Sequence, residues 1–66
     1  MELKLIFLDS FESDYKDKKY KIFRFLDPNS LQVISGTDLK EVYVPYKVYT
    51  CLVEFKNNKL KVIATH

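Results

Sequence analysis

The chain has few of the residues that stabilise small domains through crosslinks. Its 66 residues include one cysteine, Cys51, and one histidine, His66, which is the last residue. A single cysteine cannot form an internal disulfide, and no cluster of cysteine and histidine offers a zinc site. We therefore expect no metal and no other cofactor, and a single domain, residues 1–66, that relies on its hydrophobic core.

Residues suited to catalysis are equally scarce. Cys51 lies in an apolar run with no histidine positioned to activate it, so we interpret it as a buried structural thiol rather than a nucleophile. Gly36 is the only glycine, which excludes a glycine-rich phosphate loop. The acidic residues are scattered over predicted loops and turns, with no fixed geometry for acid–base chemistry. We predict that the protein is not an enzyme.

Long hydrophobic runs are also missing. Residues 3–8 are apolar but are interrupted by Lys4, and the run is too short for a secretory signal. No run approaches the roughly 20 apolar residues that span a bilayer. A lone cysteine in so small a domain is typical of a reducing compartment. We expect a cytoplasmic protein that has no membrane partner.

What the chain does contain is apolar and aromatic surface. Hydrophobic residues make up 47% of the sequence and aromatic residues 15%. A domain of this size buries only about 60% of the surface that its unfolded chain exposes. Apolar surface beyond what one small core can hide indicates a partner, and a second copy of the chain is the simplest one. We therefore predict a homodimer.

The basic residues are concentrated towards the end of the chain. Residues 42–66 contain four lysines and one glutamate, whereas residues 1–41 contain seven basic and eight acidic residues. A basic end could bind a polyanion such as nucleic acid. The alternative is that lysines protect exposed strand edges and keep a small sheet soluble.

Alternating and β-branched residues predict an all-β fold of five strands, at residues 2–9, 19–26, 31–36, 46–56 and 59–65. The polar residues 10–18 predict an exposed loop or a mobile hairpin tip. Thr37 could cap a short helical turn over residues 38–41, between strands three and four. Five strands in this order favour a small OB-like barrel, with an SH3-like barrel as the alternative.

The last two strands are predicted to form a hairpin around Asn57-Asn58. Asparagine tolerates positive φ, and a two-residue loop of this kind suits the turns whose twist matches a hairpin. This turn places Lys56 opposite Lys59 and, further along, Val53 opposite Val62. The same register, continued without interruption, places Thr50 opposite Thr65. The predicted apolar face of the hairpin consists of Tyr49, Cys51, Val53, Phe55, Leu60, Val62 and Ala64.

Aromatic and basic residues interleave in residues 15–25 and 43–49. Binding of single-stranded nucleic acid needs both types, because bases stack on aromatic rings and cations follow the phosphate backbone. Phe23 and Phe25 alternate along a strand, which is typical of core residues, so we leave open whether they lie in the core or on a binding platform. The predicted nucleic-acid-binding residues are Tyr15, Lys16, Lys18, Lys19, Tyr20, Lys21, Arg24, Tyr46 and Lys47.

The residues 18–27 (KKYKIFRFLD) and 44–65 (VPYKVYTCLVEFKNNKLKVIAT), with the opening residues 2–9 and the segment 13–20, form a recognisable pattern. It resembles the small OB-fold single-stranded-DNA-binding proteins of filamentous phages and of mobile elements in Gram-positive bacteria. The resemblance implies a cooperative binder without sequence specificity, often a homodimer, that coats intermediates of replication or transfer. DNA is favoured over RNA on the same ground.

A second hypothesis assigns no nucleic-acid role to the chain. The same surplus of apolar and tyrosine surface fits a small protein-interaction module, such as a phage or mobile-element accessory protein. Tyrosines are favoured anchors in protein interfaces.

Overall fold

Five strands close into a barrel in the order β1-β2-β3-β5-β4, with β1 and β4 pairing to complete the circle. The computed structural model describes residues 1–66. The β3–β5 pair is parallel and all other pairs are antiparallel. The all-β prediction of a five-stranded OB-like small barrel is confirmed. The strands are β1 (Glu2–Tyr15), β2 (Lys18–Leu26), β3 (Val33–Thr37), β4 (Val48–Lys56) and β5 (Lys59–Thr65).

The hairpin of β1 and β2 is longer than predicted. β1 continues through the polar residues to Tyr15, and β2 begins at Lys18 after a tight turn. The turn residues Lys16 and Asp17 both have positive φ, 49° and 62°. Of the two alternatives predicted for residues 10–18, an exposed loop and a hairpin tip, the loop was wrong. Most of this segment extends the hairpin as paired strands.

The predicted helical turn over residues 38–41 is absent, because the structure contains no helix. The connection between β3 and β4 instead inserts the ring of Tyr43 among the aromatic rings of the barrel. That ring lies 5.3 Å from Phe7 and 5.4 Å from both Phe23 and Phe25, measured between centroids. Its hydroxyl group forms a hydrogen bond with the Thr65 hydroxyl at 2.6 Å. One buried tyrosine from this connection thus belongs to the aromatic core of the barrel.

The starts of two strands also differ from the prediction. β3 begins at Val33 rather than at residue 31, and β4 begins at Val48 rather than at residue 46. Leu31 and Tyr46 both have positive φ, 60° and 69°, which is incompatible with an extended strand. These residues turn the chain just before each strand starts.

The core consists of inward-facing residues from all five strands together with Tyr43. Phe23 and Phe25 belong to it, which answers the question that the sequence left open. Alternation along each strand places these side chains on the inner face of the sheet. The buried hydrophobic residues are Leu5, Phe7, Phe23, Phe25, Ile34, Tyr43, Cys51, Val53 and Val62.

The hairpin of β4 and β5 follows the predicted register near its turn and departs from it further along. Lys56 opposes Lys59 and Val53 opposes Val62, as predicted. A bulge then shifts the register, so that Leu52 pairs with Ala64 rather than Ile63. The predicted register was therefore wrong beyond Val53. On the predicted apolar face, Cys51 is buried and Tyr49 packs against the core, whereas Ala64 is exposed.

The structure has no helix with the length and hydropathy needed to cross a lipid bilayer.

Candidate functional site

A groove of about 800 Å³ runs over β3 on the outside of the barrel. Residues 32–37 line its centre, and the strand order places β3 between β2 and β5. Phe11 and Ile22 of the β1–β2 hairpin line one side. Phe55 and residues 58–61 of the β4–β5 hairpin line the other side. Two hairpins therefore flank a single strand, and the groove lies between them.

Two exposed aromatic rings lie in this groove. Phe11 pairs with Ile22 on the outer face of the β1–β2 hairpin and is 46% exposed. Phe55 lies two residues after Val53 on β4, so the two side chains share a face of the strand. Phe55 lies at the end of β4, beyond the core, and is 67% exposed. The two rings line one groove, and this arrangement is compatible with a surface that contacts a ligand or partner.

Lysines provide positive charge on the β4–β5 side of the groove. Lys59 and Lys61 line it, and Lys56 lies opposite Lys59 in the ladder. None of the three has a carboxylate within 4 Å, although Glu54 is the cross-strand neighbour of Lys61. Their charges are thus available to an anionic ligand.

Arg24 differs from these lysines because it is engaged within the protein. Its Nε atom donates to Asp9 Oδ1 at 2.7 Å, and its Nη2 atom donates to Oδ2 of the same carboxylate. Its guanidinium carbon lies 5.8 Å from the centroid of the Phe11 ring. The hydrogen bonds from Arg24 lower the pKa of Asp9 below its ordinary value. Asp9 and Arg24 form a charge-neutral pair next to the groove.

Polar side chains that line the groove are free to bind a ligand. Ser35 and Thr37 occupy outward-facing positions on β3, and Gln32 and Asn58 also line the groove. None of these side chains forms a hydrogen bond within the protein. The groove therefore offers amide and hydroxyl groups beside its rings and cations.

None of the predicted nucleic-acid-binding residues lines this groove. Four of them, Tyr15, Lys18, Tyr20 and Arg24, share the outer face of the β1–β2 hairpin with Phe11. They extend the side of the groove towards the tip of that hairpin. Tyr15 and Lys18 are exposed, and Tyr20 is half-buried.

The remaining predicted residues lie elsewhere. Lys16 is in the hairpin turn, with its ammonium group 5.4 Å from the Tyr15 ring centroid. Lys19 and Lys21 alternate onto the opposite face of the hairpin, and Lys21 lies over the edge of the core at Phe23.

Tyr46 and Lys47 lie beside β1, away from the groove. The Tyr46 amide donates to the Phe7 carbonyl at 2.7 Å, and the Phe7 amide donates to the Lys47 carbonyl at 3.0 Å. Both side chains are exposed. The structure thus places the predicted residues in four locations: the outer face, the turn and the opposite face of the β1–β2 hairpin, and the connection before β4.

Sequence reasoning missed the residues that the groove brings together. Phe11 lay in the segment predicted as an exposed loop or a mobile hairpin tip, and Phe55 was assigned to an apolar face. Lys59 and Lys61 were noticed only as part of a basic end. The available signal was that Phe55 directly precedes a lysine-flanked turn, where a strand extends past its core.

Comparisons with protein-family models and with curated protein sequences find no match to this chain.

Proposed function

We propose that the protein binds single-stranded DNA without sequence specificity, in the groove over β3. The observation that carries the proposal is the combination in one groove of two exposed rings, Phe11 and Phe55, with two lysines that have no acidic partner, Lys59 and Lys61. In OB-folds, the face of strands 2 and 3 and the loops that connect strands 1 to 2 and strands 4 to 5 form the surface that binds oligonucleotides.

The chemistry of the groove suits a single strand. A base that stacks on an exposed ring gains about 1–3 kcal/mol, and every base offers such a face, so the contact tolerates any sequence. Lysines beside the rings neutralise phosphates and release the counterions bound to them. The unbonded side chains of Gln32, Ser35, Thr37 and Asn58 can satisfy the polar edges of bases or sugars.

The outer face of the β1–β2 hairpin extends this surface. Tyr15, Lys18 and Tyr20 follow Phe11 along that face towards the hairpin tip. A strand that leaves the groove on this side meets a second set of aromatic and basic side chains. The resemblance to phage and mobile-element proteins supports the same role, the coating of a single-stranded intermediate of a phage, plasmid or mobile element.

Titration of a fluorescently labelled oligo(dT) with the protein, followed by anisotropy, tests the proposal. We expect binding that weakens steeply with salt, because each phosphate neutralised on a single strand contributes a slope of about −0.7 in log K against log salt. A parallel titration with oligo(U) measures the preference for DNA over RNA. No binding at low salt by a protein shown to be folded would refute the proposed function.

A protein-interaction module is the second candidate. It is favoured by the exposed apolar residues of the connection before β4, where Val42 is 94% exposed and Tyr46 78% exposed. Tyrosine and aliphatic side chains of this kind serve as interface anchors. A partner that is retained after nuclease treatment, and lost when Tyr46 and Val42 are replaced with serine, would support this candidate.

A further inference from the structure

We infer that Asp9 is a positioning residue that withholds the charge of Arg24 from the bound strand. The inference rests on the proposed function and concerns the same groove. Asp9 holds the Arg24 guanidinium over the Phe11 ring and neutralises it. Arg24 then supports a stacking ring, whereas the lysines across the groove contact phosphate.

The geometry of the pair fixes the guanidinium in place. Asp9 and Arg24 are cross-strand partners in the β1–β2 ladder, directly after the register shift between Phe7 and Asp9. That shift adds one residue to β1, which is the local irregularity of a β-bulge and re-aims the side chains beyond it. Two parallel hydrogen bonds between a guanidinium and a carboxylate are more specific in direction than a single ion pair. The arrangement therefore sets both the position and the plane of Arg24.

The position of Arg24 matters because it lies at the edge of the groove. Its guanidinium is 5.8 Å from the Phe11 centroid, and its cross-strand partner on β3 is Ser35, which lines the groove. A cation over one face of a ring leaves the other face for a ligand. Phe11 accordingly offers one stacking face to one base.

The charge of Arg24 is neutralised by an ion pair, whereas the charges of the lysines in the groove are not. Arg24 and Asp9 form one of two ion pairs in the structure, and the other, between His66 and Glu2, is far along the sheet at the ends of β5 and β1. Lys59 and Lys61 have no such partner. Removal of the Asp9 charge would therefore turn a neutral support into an additional phosphate contact.

The test compares salt slopes of oligo(dT) binding for four variants. Asp9→Asn keeps the size of the side chain and removes its charge. The matched control is Asp14→Asn, which makes the same charge change on the same strand at a residue without an ion pair. Arg24→Gln is made alone and together with Asp9→Asn, so that the two residues form a double-mutant cycle.

We expect Asp9→Asn to bind on the order of ten-fold more tightly at 50 mM salt and to steepen the salt slope by about 0.7, the contribution of one phosphate on a single strand. Asp14→Asn should leave the slope unchanged. Arg24→Gln alone should leave the slope unchanged, even if affinity falls because Phe11 loses its support. The double variant should lose the whole gain in slope.

Two results overturn the inference while leaving the proposed function in place. In the first, the wild-type protein binds oligo(dT), and the Asp9→Asn variant binds it with the same slope of log K against log salt. The other is a slope that falls by about 0.7 in Arg24→Gln alone, because Arg24 would then already contact phosphate. If no variant binds oligo(dT), both the function and the inference fail. The resonance of the Arg24 Nε–H group in the free protein provides a check without DNA, since it should exchange slowly with water in wild type and rapidly in Asp9→Asn.

Discussion

Gly36 lies directly against Val62 at the seam between β3 and β5. A Cβ atom added to the glycine would be 2.6 Å from the Val62 carbonyl oxygen and 3.0 Å from the Val62 Cβ atom. This seam is the only parallel pairing of the barrel, and it consists of two residue pairs, Gly36 with Val62 and Ser35 with Lys61. The barrel thus closes between β3 and β5 because Gly36 has no Cβ atom to separate the two strands.

We predict that Gly36→Ala destabilises the protein by about 1–3 kcal/mol, the usual effect of overpacking a tight interior. The contact at 2.6 Å is with backbone, so the strands themselves must separate to relieve it. Urea unfolding followed by circular dichroism measures the change. Ser35→Ala is the control, since Ser35 has the outward alternation and loses only a hydroxyl group. Equal midpoints for Gly36→Ala and wild type would contradict the prediction.

The turn of the β1–β2 hairpin leads to a prediction of the opposite sign. Asp17 has φ of 62°, a left-handed conformation that costs most L-residues about 1 kcal/mol and glycine almost nothing. Asp17→Gly should therefore raise the free energy of unfolding by up to about 1 kcal/mol. Glycine at Asp14, which lies within β1, should instead lower it by about 0.5–1 kcal/mol. Loss of stability in Asp17→Gly would show that the turn is not left-handed in solution.

The same turn shows where sequence reasoning reached its limit. Asn57-Asn58 was identified as a hairpin turn because asparagine is known to tolerate positive φ, and both residues do adopt it. Lys16-Asp17 forms the same kind of turn without that signal. Residues 10–14 of its first strand are polar apart from Phe11, because this part of the hairpin extends past the core. No alternation of apolar residues therefore revealed that extension of the strand. Tertiary pairing, not local composition, determines that segment.

The candidate site was harder to predict than the barrel. The alternation of apolar residues and the turn residues predicted five strands along the chain, because each strand buries one face. The groove depends on which strand ends extend beyond the core and which residues the two hairpins bring opposite each other. Phe55 continues the alternation of Val53 and yet is exposed. Only the three-dimensional structure shows that Val53 is buried and Phe55 is exposed.

The burial of the Cys51 thiol leads us to predict that the stability of the protein depends on pH. Burial raises the pKa of its thiol to about 11, from an ordinary value of 9.0. As the pH rises, the unfolded chain ionises first, so this contribution to stability is complete below pH 9 and is lost as the pH rises towards 11. We expect wild type to lose up to about 2 kcal/mol more than Cys51→Ala over this range. Urea titrations of both proteins between pH 8 and 11 measure it.

A thiol reagent provides an independent check on Cys51. At pH 8 the native protein should react very slowly with Ellman's reagent, because the thiol is both buried and protonated. Unfolding in urea should restore ordinary reactivity. Rapid labelling of the native protein would indicate that the barrel opens beside Cys51.

The predicted homodimer has a candidate surface on the outside of the barrel. Val48 pairs with Ile6, Ile6 with Leu26, and Leu26 with Val33, so four apolar side chains form one row across four strands. Val48 is 60% exposed and Val33 51% exposed. The Asp9–Arg24 pair beside the row is neutral, so a second copy meets no excess of like charge there. Val48→Glu should convert a dimer into a folded monomer, as measured by light scattering after gel filtration. A wild-type monomer at millimolar concentration would contradict the prediction.

Substitution of the groove residues separates stacking from charge. Phe55→Ala and Phe11→Ala should each weaken oligo(dT) binding about five-fold or more, because each removes a stacking ring, and should leave the salt slope unchanged. Lys61→Gln should make the slope of log K against log salt shallower by about 0.7. The affinity that this variant loses should therefore be smaller at high salt than at low salt. Tyr46→Ala is the matched control, since Tyr46 is more exposed than either phenylalanine but lies outside the groove. If Tyr46→Ala abolished binding and Phe55→Ala did not, the DNA strand would lie against the connection before β4, and the groove would not be its binding site.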